Sequence, residues 1–531
     1  MAKIEIPPFV KNMGSKLIAY ILNISKENAG KLLNSDFELP QEKEKILCQF
    51  VEICREVRAK HIDNTNIDLH MLHDLFRQFI KGEHIFNSLH EQAGGEKATS
   101  LECDDKVLQN LNKVFNKLYP LFLVNTTGWQ QHFDVVLGDI GRASRDLPEG
   151  KHLYEEIKKD TVISSIVKQK SEQIGTHGYY KSSTGHGGSI QLISLPEMFL
   201  LNSFRLMRMR EAFSLEAFSE AAEYTVNTFR RCTTGEAVEV PMFLGFSNIS
   251  IDDIGDIKTD WGVIRPVGEG ISELVPRHSS ITRISGKQYR LGFVLESTYP
   301  YKVNFTDEDE DRKSPKEIND AAKRINEINE NISFCFSLAC DRNPPVSMSL
   351  AWTMVFDPIN HGTQVTSNSI RRSPMPFYLV RDTKESNALI EWSKRIKKTD
   401  DKNIQLAIKR ILSAINERTN PIDSFIDTVI AWENLFGANA ELGFRISVSI
   451  AKLLGETETQ IKEIQKKVND YYNKRSKIVH GVNEVTNEEA INFREECLDI
   501  TLKVIRKLYT EKVELISLNK SAERSKELAI V

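Results

Sequence analysis

Arg475 and His480 are the residues of this 531-residue chain whose types and spacing could do chemistry together. Arg475 continues an apolar stripe of helical spacing, and His480 and Gly481 follow it within the segment RSKIVHG. A guanidinium is always charged, so burial on an apolar seam requires an anion or a partner chain to compensate it. The preceding members of the stripe, spaced by three and four residues, are Ile461, Ile464, Val468 and Tyr471.

The spacing of this pair limits what a single helix can do with it. Residues five apart differ by about 140° around a helix that turns about 100° per residue. One straight helix therefore cannot direct both side chains at one phosphate. Either the helix unwinds at Gly481, or the helices of two chains face each other. Ser476 lies one turn before His480 and can share its face, whereas the plain structural interpretation is a charged helix end with a capping histidine.

Helix-boundary residues predict a regular helical bundle around this motif. Three of the four predicted starts have a capping side chain, one of them with a proline, and three of the predicted ends have a glycine, Gly481 among them. The first helix has Asn420, Pro421 and Asp423 at its start and Gly437 after its end. The second spans Leu442–Leu454 and is followed by Gly455. The third starts at the capping box of Thr457 and Gln460, and the fourth starts at the capping box of Thr486 and Glu489 and reaches about Tyr509.

The segment YYNKRSKIVHG resembles the R-x4-6-H signature of HEPN domains, with a polar residue directly after the arginine. It is similar, more narrowly, to the Apea-like HEPN family of bacterial anti-phage proteins. The segment 420–436, NPIDSFIDTVIAWENLF, and the segment 441–446, ELGFRI, are similar to the helices that precede the motif in that family. The resemblance covers residues 386–510. Trp432 departs from it, since the family more often has a smaller aliphatic residue there.

The resemblance implies metal-independent endoribonuclease activity without a cofactor. The RNA 2′-OH would attack the adjacent phosphate and leave a 2′,3′-cyclic phosphate. His480 would be the general acid/base, because histidine titrates near neutral pH. Arg475 would hold the transition-state charge, because its planar fork matches phosphate oxygens, and Ser476 would orient the phosphate or the imidazole. HEPN domains usually pair, so the resemblance also implies a homodimer in which two motifs line one cleft.

Basic residues near the motif and at the start of the HEPN region are candidate RNA-binding residues, because clustered cations attract a phosphate backbone. Such a cluster is also typical of an ordinary solvated helix face. The candidates are Lys474, Lys477, Lys394, Arg395, Lys397 and Lys398.

Residues 16–36 are similar in texture to the helix-turn-helix of Xre-type antitoxins. In such a unit four polar residues would face DNA, which makes DNA a candidate partner. Any αα-hairpin is the alternative interpretation. The four residues are Ser25, Lys26, Asn28 and Lys31.

Two other clusters favour a structural interpretation. His70, His73 and Asp74, with His61 upstream, resemble a metal cluster, but they are better explained as surface residues, so no metal site is predicted. The Gly- and Ser-rich stretch 175–189 is predicted to be a loop.

Composition excludes several classes of protein. Hydrophobic residues make up 40%, charged residues 27%, and the formal net charge is -4. These values argue against a disordered chain, a collagen-like chain, a polytopic membrane protein and a histone-like nucleic-acid coat. No stretch reaches the roughly 18 apolar residues of a membrane helix, and no signal peptide is recognisable at the start. Seven cysteines without a CxxC pair predict reduced thiols and a cytoplasmic protein.

The predicted fold class is α+β, with a mixed N-terminal region, a β-rich middle and a C-terminal all-α bundle. Runs at 238–246, 289–296 and 347–356 are typical of strands. The predicted divisions are 1–95, helical with the candidate helix-turn-helix; 96–235, mixed and helical; 236–385, β-rich and sensor-like; 386–510, the HEPN nuclease domain; and 511–531, a C-terminal tail.

The predicted function is an anti-phage endoribonuclease, active in abortive infection, whose N-terminal region senses a phage-derived trigger. The alternative is a regulator that binds DNA or RNA and uses the HEPN bundle only to dimerise. A third hypothesis is the toxin half of a two-gene pair.

Overall fold

The computed structural model shows a chain of mixed helix and sheet, consistent with the α+β prediction. No described helix is both long and apolar enough to cross a membrane. The residues that the structure describes are 5–97, 101–125, 133–167, 169–171, 175–251, 254–274, 281–284, 287–306, 317–360, 364–367, 378–380, 382–438, 440–481 and 485–530.

The N-terminal region is mainly helical. The apolar side chains of the helix before Ser25 are buried, and Ser25 caps the next helix by accepting a hydrogen bond from the Asn28 N–H at 3.1 Å. Pro40 precedes the helix that follows. The elements are α1 (Pro8–Lys11), α2 (Ser15–Leu22), α3 (Lys26–Leu33), α4 (Gln41–Ala59), α5 (Ile67–Leu75), β1 (Phe79–Ile80), β2 (Glu83–His84), α6 (Ile85–Gln92), α7 (Lys106–Leu118), α8 (Phe133–Asp146), α9 (Pro148–Lys159) and α10 (Thr161–Ser164).

The prediction of a loop over 175–189 is wrong, because most of this stretch forms two strands. They belong to an antiparallel four-stranded sheet: β3 (Gln169–Ser171), β4 (Gly175–Ser182), β5 (Gly187–Gln191) and β12 (Val303–Thr306). The glycine at 178 reflects close approach, since a Cβ there would lie 2.2 Å from the Ile166 carbonyl oxygen. The Gly- and Ser-rich composition of this stretch indicated a loop, because β12, the partner strand of β4, lies more than 100 residues away in the chain.

Two buried helices, α11 (Leu195–Met209) and α12 (Leu215–Thr233), lead into the main sheet. The three predicted strand runs are confirmed as its central strands β6, β11 and β13, and β6 is almost wholly buried. A long helix, α14, precedes β13 in the chain. The elements of this region are β6 (Val238–Ser247), β7 (Ile249–Ile251), β8 (Ile257–Thr259), β9 (Gly262–Pro266), α13 (Glu269–Leu274), β10 (Ile281–Ile284), β11 (Lys287–Tyr301), α14 (Glu317–Ala339), β13 (Ser349–Val355), β14 (Gln364–Ser367) and β15 (Tyr378–Val380).

The C-terminal part is all helical, and its predicted boundaries are confirmed. Asn420 accepts the Ile422 N–H at 2.8 Å, and both predicted capping boxes are formed. Gly455 has φ -83°, so its role is close packing: a Cβ there would lie 2.9 Å from the Ile461 nitrogen. The helices are α15 (Thr383–Lys398), α16 (Gln405–Leu412), which continues in a π-helical turn (Ser413–Glu417), α17 (Pro421–Phe436), α18 (Leu442–Leu454), α19 (Glu458–Val479), α20 (Asn487–Thr510), α21 (Val513–Ile516) and α22 (Ser521–Ile530).

The helical bundle contacts the middle region through specific hydrogen bonds. Arg506 of α20 donates to the carbonyl oxygens of Ser337 and Leu338 at the end of α14, at 3.2 and 3.0 Å. The Met348 N–H, just before β13, donates to the Asn416 side chain at 3.0 Å. The bundle therefore contacts both the end of α14 and the residue before β13.

Candidate functional site

Helix α19 positions Arg475. The helix runs without interruption from Glu458 to Val479, and the members of its apolar stripe nearest Arg475, Val468 and Tyr471, are buried. Arg475 follows them with 21% of its side chain exposed. The stripe therefore carries a charged group into a half-buried position, as its spacing predicted.

The anion that compensates Arg475 comes from its own chain. The Arg475 Nη1 lies 3.5 Å from Oε1 of Glu433, which is near the end of α17 and has 24% of its side chain exposed. The Arg475 Nε is buried and has no hydrogen-bond partner among the described residues. One long ion pair thus leaves most of the guanidinium's five N–H donors available to another acceptor.

The Tyr472 hydroxyl interacts with the same pair of side chains, Glu433 and Arg475. Burial raises the pKa of Tyr472, the negative charge of Glu433 raises it further, and Arg475 lowers it. Tyr472 also packs close to α18, since a Cβ at Gly443 would lie 3.0 Å from its ring. The three side chains from α17 and α19 therefore form one electrostatic cluster, which we call the Arg475 cluster.

His480 caps the end of α19 and is exposed. Its backbone N–H donates to the Ser476 carbonyl oxygen at 3.1 Å, so the helical course continues through His480. The left-handed turn comes only at Gly481, with φ 68°. Unwinding at Gly481 therefore does not bring His480 onto the face of Arg475, and the two remain about 140° apart around one helix axis.

The two lysines beside the motif have different surroundings. The Lys474 ammonium lies 4.3 Å from the ring centroid of Phe493 and 5.3 Å from that of Tyr471, both cation–π contacts. Lys477 is exposed. Lys474 thus packs on α20 within its own chain, whereas Lys477 is accessible to a ligand.

Two of the four basic residues near the end of α15 contact other residues of the chain. Lys394 pairs with Glu391 at 3.4 Å, and Arg395 donates to the Tyr509 carbonyl oxygen at 3.0 Å. Lys397 and Lys398 are exposed. Arg395 thereby helps to join α15 to α20, whereas the two distal lysines make no ion pair with the described residues.

The N-terminal candidates make contacts within the chain. The Ser25 hydroxyl caps α3 by accepting the Asn28 N–H, Lys26 lies 3.3 Å from Glu269, and Lys31 pairs with Glu27 at 2.6 Å. These two short helices and their tight turn are compatible with a helix-turn-helix or with a plain hairpin. DNA binding there stays a prediction.

The histidine cluster is divided between two carboxylates. His61 lies 2.9 Å from Asp74, and His73 lies 2.7 Å from Asp139 of another helix. Within the described part of the chain, no group of three or more His, Cys, Asp or Glu residues could hold a metal ion.

Sequence reasoning missed the roles of Glu433, Tyr472 and Arg524. Glu433 stands in the AWENLF segment, but nothing local indicates that its carboxylate meets Arg475 some 40 residues later. Arg524 lies in the segment predicted as a tail, and it is buried in the bundle.

The comparisons with known proteins add no relative. No protein-family model, no curated protein and no solved structure matches the chain.

Proposed function

We propose that the chain is a metal-independent endoribonuclease of the HEPN type. The observation that carries the proposal is Arg475, a half-buried guanidinium held by one 3.5 Å ion pair, with an exposed histidine at the end of the same helix. A preorganised arginine with free donors suits a pentavalent phosphorane, whose negative charge grows as the reaction proceeds.

The proposed reaction is internal transesterification of RNA. A histidine removes the proton of the 2′-OH, whose oxygen attacks the adjacent phosphorus while the bond to the 5′ oxygen breaks. A histidine returns a proton to that leaving oxygen, so the products are a 2′,3′-cyclic phosphate and a free 5′-OH. His480 supplies the proton transfer, Arg475 donates to the non-bridging oxygens, and Ser476 orients the phosphate or the imidazole.

We propose that two chains build each site, because Arg475 and His480 of one helix face different directions. Two large apolar side chains of the bundle support this assembly: Phe444 is 58% exposed and Val479, next to His480, is 51% exposed. Contiguous exposed apolar surface marks protein interfaces, and the proposed interface would bring these two side chains of each chain into one such surface. Pairing of two α19 ends would place the histidine of one chain near the arginine of the other.

The proposed setting is defence against phage, with the region before α15 sensing a trigger. The hydrogen bonds of Arg506 and Asn416 support a mechanical connection between the main sheet and the bundle. Exposed Lys477, Lys397 and Lys398 are the proposed RNA-steering cations, since counterion release favours their contact with phosphates.

The test is incubation of the purified protein with total RNA in EDTA, beside His480→Ala. We expect the wild type to produce fragments with 2′,3′-cyclic phosphate ends, and His480→Ala to be folded and inactive. Circular dichroism and thermal unfolding of both proteins control for folding. A folded His480→Ala variant that still cleaves would refute the catalytic assignment, and tight duplex-DNA binding without cleavage would favour the regulator.

A further inference from the structure

The C-terminal helix α22 buries a charged residue. Arg524 is only 1% exposed, although it lies within eight residues of the chain end. Burying a charge is costly unless hydrogen bonds compensate it. Burial accordingly lowers the pKa of Arg524, while Glu523 opposes this shift. A buried arginine is therefore expected to make hydrogen bonds that an aliphatic side chain could not make.

Arg524 makes such hydrogen bonds to main-chain carbonyl oxygens. Its guanidinium donates to the main-chain carbonyl oxygens of Leu435 at 2.7 Å, Asn434 at 2.9 Å and Leu518 at 2.6 Å. The Ser521 hydroxyl donates to the Gly437 carbonyl oxygen at 2.6 Å. The last carbonyls of a helix have no intrahelical partner, and a cation is favoured at this end of the helix dipole. Helix α22 therefore caps the C-terminal end of α17.

The capped turn is the one that carries Glu433. The Glu433 carbonyl oxygen accepts the Gly437 N–H at 2.8 Å, and its carboxylate pairs with Arg475. Asn434 and Leu435, which Arg524 holds, are the next two residues. A terminal turn without such contacts frays readily, and Arg524 contacts the two residues that directly follow Glu433.

We propose that Arg524 and Glu433 are positioning residues of the nuclease site: Arg524 holds the last turn of α17, and Glu433 thereby holds the Arg475 guanidinium in the orientation that receives the phosphate. The proposal rests on the proposed function. Neither residue touches the reacting atoms in it. In this proposal α22, which lies in the segment that the sequence suggested to be a tail, helps to position the residues of the site.

The test compares Arg524→Met, Arg524→Lys and Glu433→Gln with the wild type. Met keeps the length and loses every donor, whereas Lys keeps the charge and can donate to fewer carbonyls. Lys526→Met, on an exposed position of the same helix, is the matched control. We expect Arg524→Met and Glu433→Gln to lower the single-turnover cleavage rate about 10-fold or more, since small displacements of positioning groups have effects of this size.

RNA affinity separates positioning from a general structural defect. We expect the Kd for a non-cleavable 2′-deoxy oligonucleotide to change by less than about threefold, because Arg475 keeps its charge. The double variant Arg524→Met/Glu433→Gln should lose little more than either single variant, because both act through Arg475. Arg524→Lys should restore part of the rate. Additive losses, or equal losses in Lys526→Met, would overturn the proposal.

A second readout needs no activity. In protein labelled with ¹⁵N-arginine, the Nε–H signal of Arg475, assigned with Arg475→Lys, should shift or broaden in Arg524→Met and Glu433→Gln but not in Lys526→Met. If the wild type cleaves no RNA, the proposed function fails and this signal still decides the positioning question. An unchanged Arg475 signal in folded Arg524→Met would refute it. If Arg524→Met does not fold, Arg524→Lys and Ser521→Ala provide the same comparison.

Discussion

Arg475 shows how one residue connects packing with chemistry. It stands at a position that an apolar side chain would fill, yet a single long ion pair to Glu433 compensates its charge. The buried Arg475 Nε has no hydrogen-bond partner among the described residues, so it can still donate to a ligand. Unsatisfied buried groups are uncommon in proteins and often mark a site where a ligand completes the hydrogen bonding.

The first residue-scale prediction concerns Arg475→Lys, which preserves the charge. We expect the cleavage rate to fall by at least about 10²-fold, because a lysine cannot present two parallel N–H donors at fixed spacing. RNA affinity should fall much less, since attraction to the ground-state phosphate survives. Single-turnover kinetics beside equilibrium binding measures both quantities. A rate within a few-fold of the wild type would leave Arg475 only a structural or phosphate-attracting role.

Asp357 is a buried acid outside the candidate site. Its Oδ1 accepts the Tyr301 hydroxyl at 2.8 Å and the Ile359 N–H at 2.9 Å, while Oδ2 is buried with no partner among the described residues. Burial raises the pKa of Asp357 despite these hydrogen bonds. The folded state thus holds the proton to a higher pH than the unfolded chain, in which the carboxyl has a pKa of about 3.9.

Asp357→Asn should therefore change how stability depends on pH. At Asp357 the folded state retains its proton above about pH 4 while the unfolded chain loses it, so this group makes the folded state less stable as pH rises towards the raised pKa. The asparagine variant lacks this contribution, and its free energy of unfolding should gain on the wild type as pH rises above about 4. Urea unfolding at several pH values measures the difference. A difference that is constant with pH would contradict the raised pKa of Asp357.

At the scale of elements, the end of α19 determines where His480 is held. The helix continues to His480, and Gly481 takes the left-handed conformation that breaks it. Among the residues that the structure describes, no atom lies within 4 Å of a Cβ built at Gly481, so a substitution there acts mainly through the backbone preference.

Gly481→Ala should lower the free energy of unfolding by roughly 1–2 kcal/mol, the cost of a left-handed conformation for an L-residue. Gly481→Asn should lose less, because asparagine visits this region more readily. Urea unfolding of the two variants and the wild type gives the ranking. Equal stability of all three proteins would mean that the turn after His480 adopts another conformation in solution.

At the scale of the molecule, the prediction concerns the proposal that two chains build each site, since Arg475 and His480 of one helix face different directions. Val479→Glu should give a monomer at micromolar concentration and a loss of cleavage, since a carboxylate on each of two facing helix ends repels the other. Sedimentation velocity and RNA cleavage measure the two effects. Leu406→Glu is the matched control, because Leu406 is 56% exposed in the same bundle on another helix. A dimeric, active Val479→Glu protein would place the interface elsewhere.

Local sequence determined the helices of the C-terminal bundle. Asn420, Thr457 and Thr486 cap them through hydrogen bonds that span only two or three residues, so their signals can be read without knowledge of the fold. The central strands were predictable for a similar reason, because β6, β11 and β13 each contain a local run rich in β-branched, aromatic and other apolar residues.

Tertiary structure decided the rest. Strands β4 and β5 form where composition indicated a loop, because β4 finds a partner strand from a distant segment. The carboxylate that holds Arg475 comes from 42 positions earlier in the chain, and the cap of α17 comes from Arg524, about 90 positions later. Sequence spacing identified Arg475 as a charge in need of an anion, but which anion meets it depends on how α17, α19 and α22 pack, and packing brings together residues that no local pattern connects.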